Sequence, residues 1–129
     1  MTHSLDFFIR NRMLYGEAGF ARLQKSFVAV VGLGGVGSSA AEAMVRAGIG
    51  KIRIIDCDRV TASDVNRQLI ALATNLNAPK VEAARDRYQQ INPEIRIDAR
   101  MTFFHHDTES DLITTDLDYV IDAIDSLNP

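Results

Sequence analysis

Cysteine is nearly missing from this chain of 129 residues, where Cys57 stands alone. One cysteine excludes an internal disulfide framework and any all-cysteine metal site within a single chain. Histidine is almost as scarce, with three copies. His105 and His106 are adjacent and Asp107 follows, but neighbouring side chains point apart on a strand and do not converge on a helix. They read as a solvated loop in preference to a metal centre. Positive charge is not in excess. Lys and Arg number 14 against 17 Asp and Glu, a net charge of -3, which gives no electrostatic footprint for nucleic acid. No apolar run approaches the roughly 20 residues that span a membrane. Met1-Asp6 lacks the basic stretch and apolar core of a secretory signal, so the expected location is cytoplasmic. What is plentiful is core material. With 47% hydrophobic and 24% charged residues, the chain reads as one folded domain.

Periodicity and punctuation give the order of elements. Residues 1–26 form an N-terminal helical segment, read as two short helices because Gly16 and Gly19 interrupt it. Phe8, Leu14, Phe20, Leu23 and Met13 are its candidate core contacts. Phe27-Val31 is a first strand, Val36-Arg46 a helix closed by Gly48 or Gly50, and Lys51-Asp56 a second strand. Asp64-Ala73 and Ala78-Ile91 read as helices, the latter with Pro79 near its first turn. Ile95-Met101 is a third strand, Asp107-Ile113 a short helix and Tyr119-Ile124 a fourth strand ending at Asp125-Ser126. Strands alternating with helices predict an α/β fold with a mostly parallel sheet and helices on both faces. The chain stops at Asn128-Pro129, directly after a functional-looking loop. It is therefore expected to be the N-terminal part of a larger protein, with an exposed strand edge that favours self-association.

Chemistry concentrates where strands end. Gly32, Gly34, Gly35 and Gly37 are four glycines in six residues, between the first strand and the first crossover helix. Free N–H groups at a helix start and the helix dipole suit a phosphate, and glycine allows the turn and the close approach. A nucleotide is expected. Asp56, at the end of the second strand, can accept ribose hydroxyls, which suits NAD as well as ATP, or it can cap a turn. Asp58 reads as a solvated loop residue. Asn66, Arg67 and Gln68 offer a guanidinium fork and amides for phosphate oxygens, or an ordinary exposed helix face. Lys80 opens a helix against the dipole, which fits a lysine reaching for phosphate or a plain exposed one. Asp125 is placed to hold magnesium beside a triphosphate, or to close a turn, and Asp122 can satisfy backbone N–H groups. Cys57 reads as a small buried apolar residue, because no base is paired with it.

In this order, Gly32-x-Gly34-Gly35-x-Gly37-Ser38, Asp56-x-Asp58, Asn66-Arg67-Gln68, Pro79-Lys80-Val81, Ile91-Asn92-Pro93 and Asp122-Ala123-Ile124-Asp125-Ser126 resemble the ubiquitin-activating-like superfamily of ThiF, MoeB and HesA proteins. Leu14-Tyr15-Gly16-Glu17 and Tyr119-Ser126 look most like its tRNA threonylcarbamoyladenosine dehydratase branch. The resemblance implies a Rossmann-like nucleotide-binding domain over residues 27–129, truncated on its C-terminal side. It implies ATP and Mg2+, with a carboxylate adenylated and pyrophosphate released. The glycine loop and Asp58, Asn66 and Gln68 would line the nucleotide, Asp56 would bind ribose, and Arg67 and Lys80 would hold the triphosphate. Asp125 would bind magnesium. Arg12, with Arg10 as second candidate, would reach the neighbouring subunit's ATP site in a homodimer. The substrate would be the threonyl carboxylate of a modified adenosine in tRNA. The alternatives are the C-terminus of a ubiquitin-like sulfur-carrier protein, a NAD-binding dehydrogenase, or a non-catalytic ATP-binding fragment. Asp64 departs from the family's usual asparagine. The C-terminal half that carries substrate-binding parts is absent, so this chain is expected not to complete turnover alone.

Overall fold

Five consecutive apolar residues, Phe27–Val31 (β1), are all buried, as a parallel strand covered on both faces demands. The computed structural model describes residues 6–125, so the part of the fourth-strand loop from Ser126 onward and the residues before Asp6 lie outside it. β1 is followed by α2 (Gly35–Ala47) and β2 (Lys51–Asp56), then α3 (Lys80–Ile91), β3 (Arg96–Met101), α4 (Glu109–Leu112) and β4 (Tyr119–Asp122), with α1 (Ile9–Lys25) before β1. The sheet order is β3-β2-β1-β4, and all three pairings are parallel. The chain therefore builds outward from β1 to β3, then returns to the other side of β1. That reversal opens a crevice beyond the C-terminal ends of β1 and β4, where open α/β sheets bind ligands.

Alternate residues of the strands serve the two faces. Val30, Ile52 and Ile54 pack with Val45 of α2 and Ala84 and Tyr88 of α3. Val31 and Ile55 pack with Leu112 of the four-residue α4. Arg53, buried in β2, fastens that second cover. Its guanidinium donates to Asp98 at 2.9 Å, to the Leu112 carbonyl at 2.8 Å and to the Thr114 hydroxyl at 2.9 Å. Between α2 and α3, the buried Glu42 accepts from Arg87 and Arg46.

Several expected boundaries shift for local reasons. Gly16 breaks α1 with φ 73°, as its glycines suggest. Phe20 is buried there, but Leu14 and Met13 are exposed, not core contacts. The expected helix over Asp64-Ala73 does not form. A 3-10 turn covers Ala62–Asp64 and irregular turns continue to Ala78. Here side chains take over backbone bonds that a helix would have used. Asn75 accepts from the Leu72 N–H at 2.8 Å and donates to the Ile70 carbonyl at 2.7 Å. α3 starts at Lys80, two residues later than expected, because the Val60 N–H binds the Ala78 carbonyl and Arg59 bridges Pro79 in strand fashion. β4 ends at Asp122, not Ile124, where the Asp122 carboxylate accepts the Ile124 N–H at 3.2 Å.

Candidate nucleotide site

The glycines after β1 divide by what surrounds them. A side chain on Gly37 would place its Cβ 1.7 Å from the Gly32 carbonyl oxygen, and one on Gly32 would meet the Ala123 oxygen at 2.6 Å. These two positions let the turn, α2 and the β4 loop pack together. Gly34 and Gly35 leave room for a Cβ in ordinary van der Waals contact. A Cβ there would find Asp125 Oδ2 at 3.5 Å and Gln68 Nε2 at 3.9 Å, or Arg67 Cγ at 3.7 Å. The turn thus brings Arg67, Gln68 and Asp125, from two distant loops, around a bare stretch of backbone. α2 begins at this stretch with no side-chain cap. Its first-turn N–H groups lack intrahelical partners and carry the positive end of the dipole.

Asp56 ties the turn to β2. Its Oδ2 accepts the Leu33 N–H and its Oδ1 the Asp58 N–H, both at 2.7 Å. Each carboxylate oxygen retains a lone pair for a further donor. Asp58 is exposed, and its carbonyl accepts the Lys80 N–H at 3.0 Å. A cleft beside the turn is lined by Gly32, Asp56, Cys57, Asp58, Phe103 and Asp125. An adjoining basin runs from Cys57 and Asp58 to Asp64 and Lys80. The side-chain ligand atoms of Asp56, Cys57 and Asp58 lie within 4.8 Å of one another. They fit a metal poorly. Burial, then the Asp58 charge, pushes the Cys57 thiol up, away from the thiolate that would bind a metal. Cys57 is half-buried, with its thiol 3.5 Å from Asp58 Oδ1.

The second basin holds the group that sequence reasoning treated least completely. Lys80, read from chemistry alone as either exposed or phosphate-seeking, is only 6% exposed. Its Nζ lies 3.8 Å from Asp64 Oδ2. Asp64 is itself buried, and accepts the Thr61 N–H at 2.9 Å and Gln68 Nε2 at 3.2 Å. Burial pulls the Asp64 carboxyl up, but the Thr61 bonds and the charges of Lys80 and Arg67 outweigh it and hold it below the usual range. The one available signal was the departure from asparagine at position 64. Arg67 is exposed and steered by its neighbours, donating to the Ser63 carbonyl and to Asn66 Oδ1, both at 2.9 Å. Asn66 therefore orients Arg67.

Arg12 is elsewhere. It pairs with Asp6 and Glu17 and stacks over Phe20 at 5.3 Å. Asn11 beside it reaches the Arg46 and Ala47 carbonyls at the far end of α2, roughly 20 Å along a helix of that length from the glycine turn. Arg10 is exposed. His105 and His106 are exposed, and His105 Nδ1 accepts the Asp107 N–H at 3.1 Å. Among the described residues, no helix is long and apolar enough to cross a membrane.

The ThiF family model matches residues 8–128. A Bacillus subtilis tRNA threonylcarbamoyladenosine dehydratase is 44% identical over 120 residues, covering 93% of this chain and 47% of that protein. The crystal structure of the E. coli tRNA N6-threonylcarbamoyladenosine dehydratase in complex with ATP superposes with a TM-score of 0.91 at 43% identity, over 95% of this chain and 50% of that one. A Haemophilus influenzae molybdopterin-synthase adenylyltransferase is 34% identical over 109 residues, 84% of this chain and 44% of that protein. This chain spans about half the length of the curated relatives it matches. With the glycine turn, the switch-point crevice and these likenesses together, the chain belongs to the ThiF family.

Proposed function

We propose that this chain forms the ATP-binding half of an enzyme that adenylates a carboxylate, with the threonylcarbamoyladenosine of tRNA as substrate. The observation that carries the reading is the convergence of Arg67, Gln68 and Asp125 on Gly34 and Gly35, with Lys80 joined to Gln68 through Asp64. A dehydrogenase that binds NAD has no use for this set. ATP supplies the adenylyl group, and pyrophosphate leaves as a carboxylate oxygen attacks the α-phosphorus. The chain's own residues bind and orient. First-turn N–H groups of α2 cradle phosphate, Asp56 receives ribose hydroxyls, and Lys80 and Arg67 hold the triphosphate. Asp58 and Asn66 complete the rim. Asp125, beside Gly34, is the residue to hold Mg2+.

The tRNA substrate is favoured by the 44% identity to the Bacillus subtilis and Escherichia coli tRNA threonylcarbamoyladenosine dehydratases, against 32% to a Thermus thermophilus sulfur carrier protein adenylyltransferase, which keeps a sulfur-carrier protein as the second reading. A homodimer accompanies this function. Met13 and Leu14, each 76% exposed, give α1 an apolar face, and Arg12 lies too far from its own glycine turn to serve it. A cytoplasmic location belongs to the same reading. The test is pyrophosphate release from Mg-ATP by a protein that joins this chain to the remaining half of one of the relatives it matches. Release stimulated by tRNA carrying threonylcarbamoyladenosine, and not by a sulfur-carrier protein, is expected. Stimulation by the carrier alone would replace the substrate. The chain alone is expected to bind without turnover, and turnover by it that is sensitive to Lys80→Ala would contradict that.

A further inference from the structure

Asp64 controls two neighbours at once. It is 7% exposed and lies 3.8 Å from the Lys80 ammonium, close enough to offset its charge but beyond a hydrogen bond. It also holds Gln68 Nε2 at 3.2 Å. Gln68 is 4% exposed, and its Oε1 is buried with no hydrogen-bond partner among the described residues. An orphaned buried acceptor is costly, so something must hold the amide in this orientation. A carboxylate only accepts. Facing Asp64, Gln68 must present its NH2 and leave its carbonyl unpaired. Asp64 thereby offsets the positive charge of Lys80 and engages one of the two amide hydrogens of Gln68. Both effects act against a polyanion.

We propose that Asp64 is a positioning residue that sets how tightly the site holds a triphosphate relative to a monophosphate, acting through Lys80 and Gln68. The inference rests on the reading of the crevice as an ATP site. Asparagine at this position offers one acceptor and one donor. Its Oδ1 can keep the Thr61 N–H while its NH2 turns to Gln68, whose amide then flips, satisfies Oε1 and releases Nε2 as a donor. Lys80 loses its counter-charge in the same change. The β- and γ-phosphates gain, and AMP, which lacks them, does not. With Asp64 in place, the site separates ATP from AMP less strongly.

Calorimetric titration of this chain and of Asp64→Asn with Mg-ATP and with AMP tests the inference. Binding of Mg-ATP is expected to tighten by about tenfold in the variant, with AMP changed by less than about twofold. In a Lys80→Ala background, most of that gain is expected to vanish. Unchanged or weaker ATP binding, or an equal gain for both nucleotides, would overturn it. Should Asp64→Asn fail to unfold cooperatively, Asp64→Ser repeats the comparison, since its hydroxyl still accepts the Thr61 N–H without charge. Chains that bind neither nucleotide would defeat the ATP reading and this inference together. Binding of ATP without the selective gain defeats this inference alone.

Discussion

Leu33 donates its backbone N–H to Asp56 Oδ2 at 2.7 Å, so the glycine turn after β1 is fastened to the end of β2 by a side chain. The other oxygen of Asp56 fixes Asp58. One residue thus joins two loops and faces the crevice. Asp56→Ala removes two charge-assisted acceptors and is expected to cost about 2 kcal/mol in urea denaturation, together with Mg-ATP binding. A variant as stable as the parent would show that the turn holds itself.

The glycines give a sharper contrast. Gly37→Ala forces a Cβ to 1.7 Å from backbone, whereas Gly34→Ala meets only ordinary contacts at 3.5 and 3.9 Å. Gly37→Ala is expected to yield little folded protein. Gly34→Ala is expected to keep its melting temperature yet weaken Mg-ATP binding by roughly tenfold or more, because the methyl group occupies space meant for phosphate. Comparable melting temperatures for the two variants would contradict the division of labour.

Glu42 and Arg87 join α2 to α3 away from the crevice, with Glu42 buried. Glu42→Ala leaves Arg87 without its partner and is expected to cost about 2 kcal/mol, lowered from the fully buried case because Arg87 is partly exposed. ATP affinity in the folded variant is expected to match the parent. Calorimetry beside urea denaturation separates the two effects.

Acid should unfold the chain through the same kind of pair. The Arg87 hydrogen bond holds Glu42 below its ordinary value, despite burial. Asp98 is raised by burial but lowered further by Arg100 and Arg53, and Asp64 is lowered on balance as described. A carboxyl whose folded value is depressed stabilises fully above its unfolded value, about 4, and loses that contribution as pH falls through the folded one. Urea midpoints are expected to be level from about pH 5 to 7 and to drop below about pH 4. Glu42→Gln should flatten part of the drop. A midpoint that rises on acidification would reverse the sign of this account.

The strands were legible because burial on two faces writes itself as the unbroken apolar run Phe27–Val31 and as Lys51–Asp56, where only Arg53 interrupts the isoleucines. The glycine turn was legible because no packing need calls for so many glycines together. Residues 64–78 were not, since apolar spacing there resembles a helix while Asn75 supplies its bonds from a side chain. Met13 was misplaced for a different reason. α1 seats only Phe20 firmly, where the ring fills the space beside Gly48, and periodicity does not tell which stripe of a helix finds a partner. The pairing of Lys80 with Asp64 follows no spacing rule and exists only once α3 has docked beside the loop.

The central claim is that Lys80 and the glycine turn form an ATP site and not a NAD site. Titrating the chain with Mg-ATP and with NAD, beside Lys80→Ala, addresses it most directly. Binding of Mg-ATP that is markedly weaker in the variant, with no heat from NAD, is the expected result. Binding of NAD in place of ATP, or Mg-ATP binding indifferent to Lys80→Ala, would contradict the account.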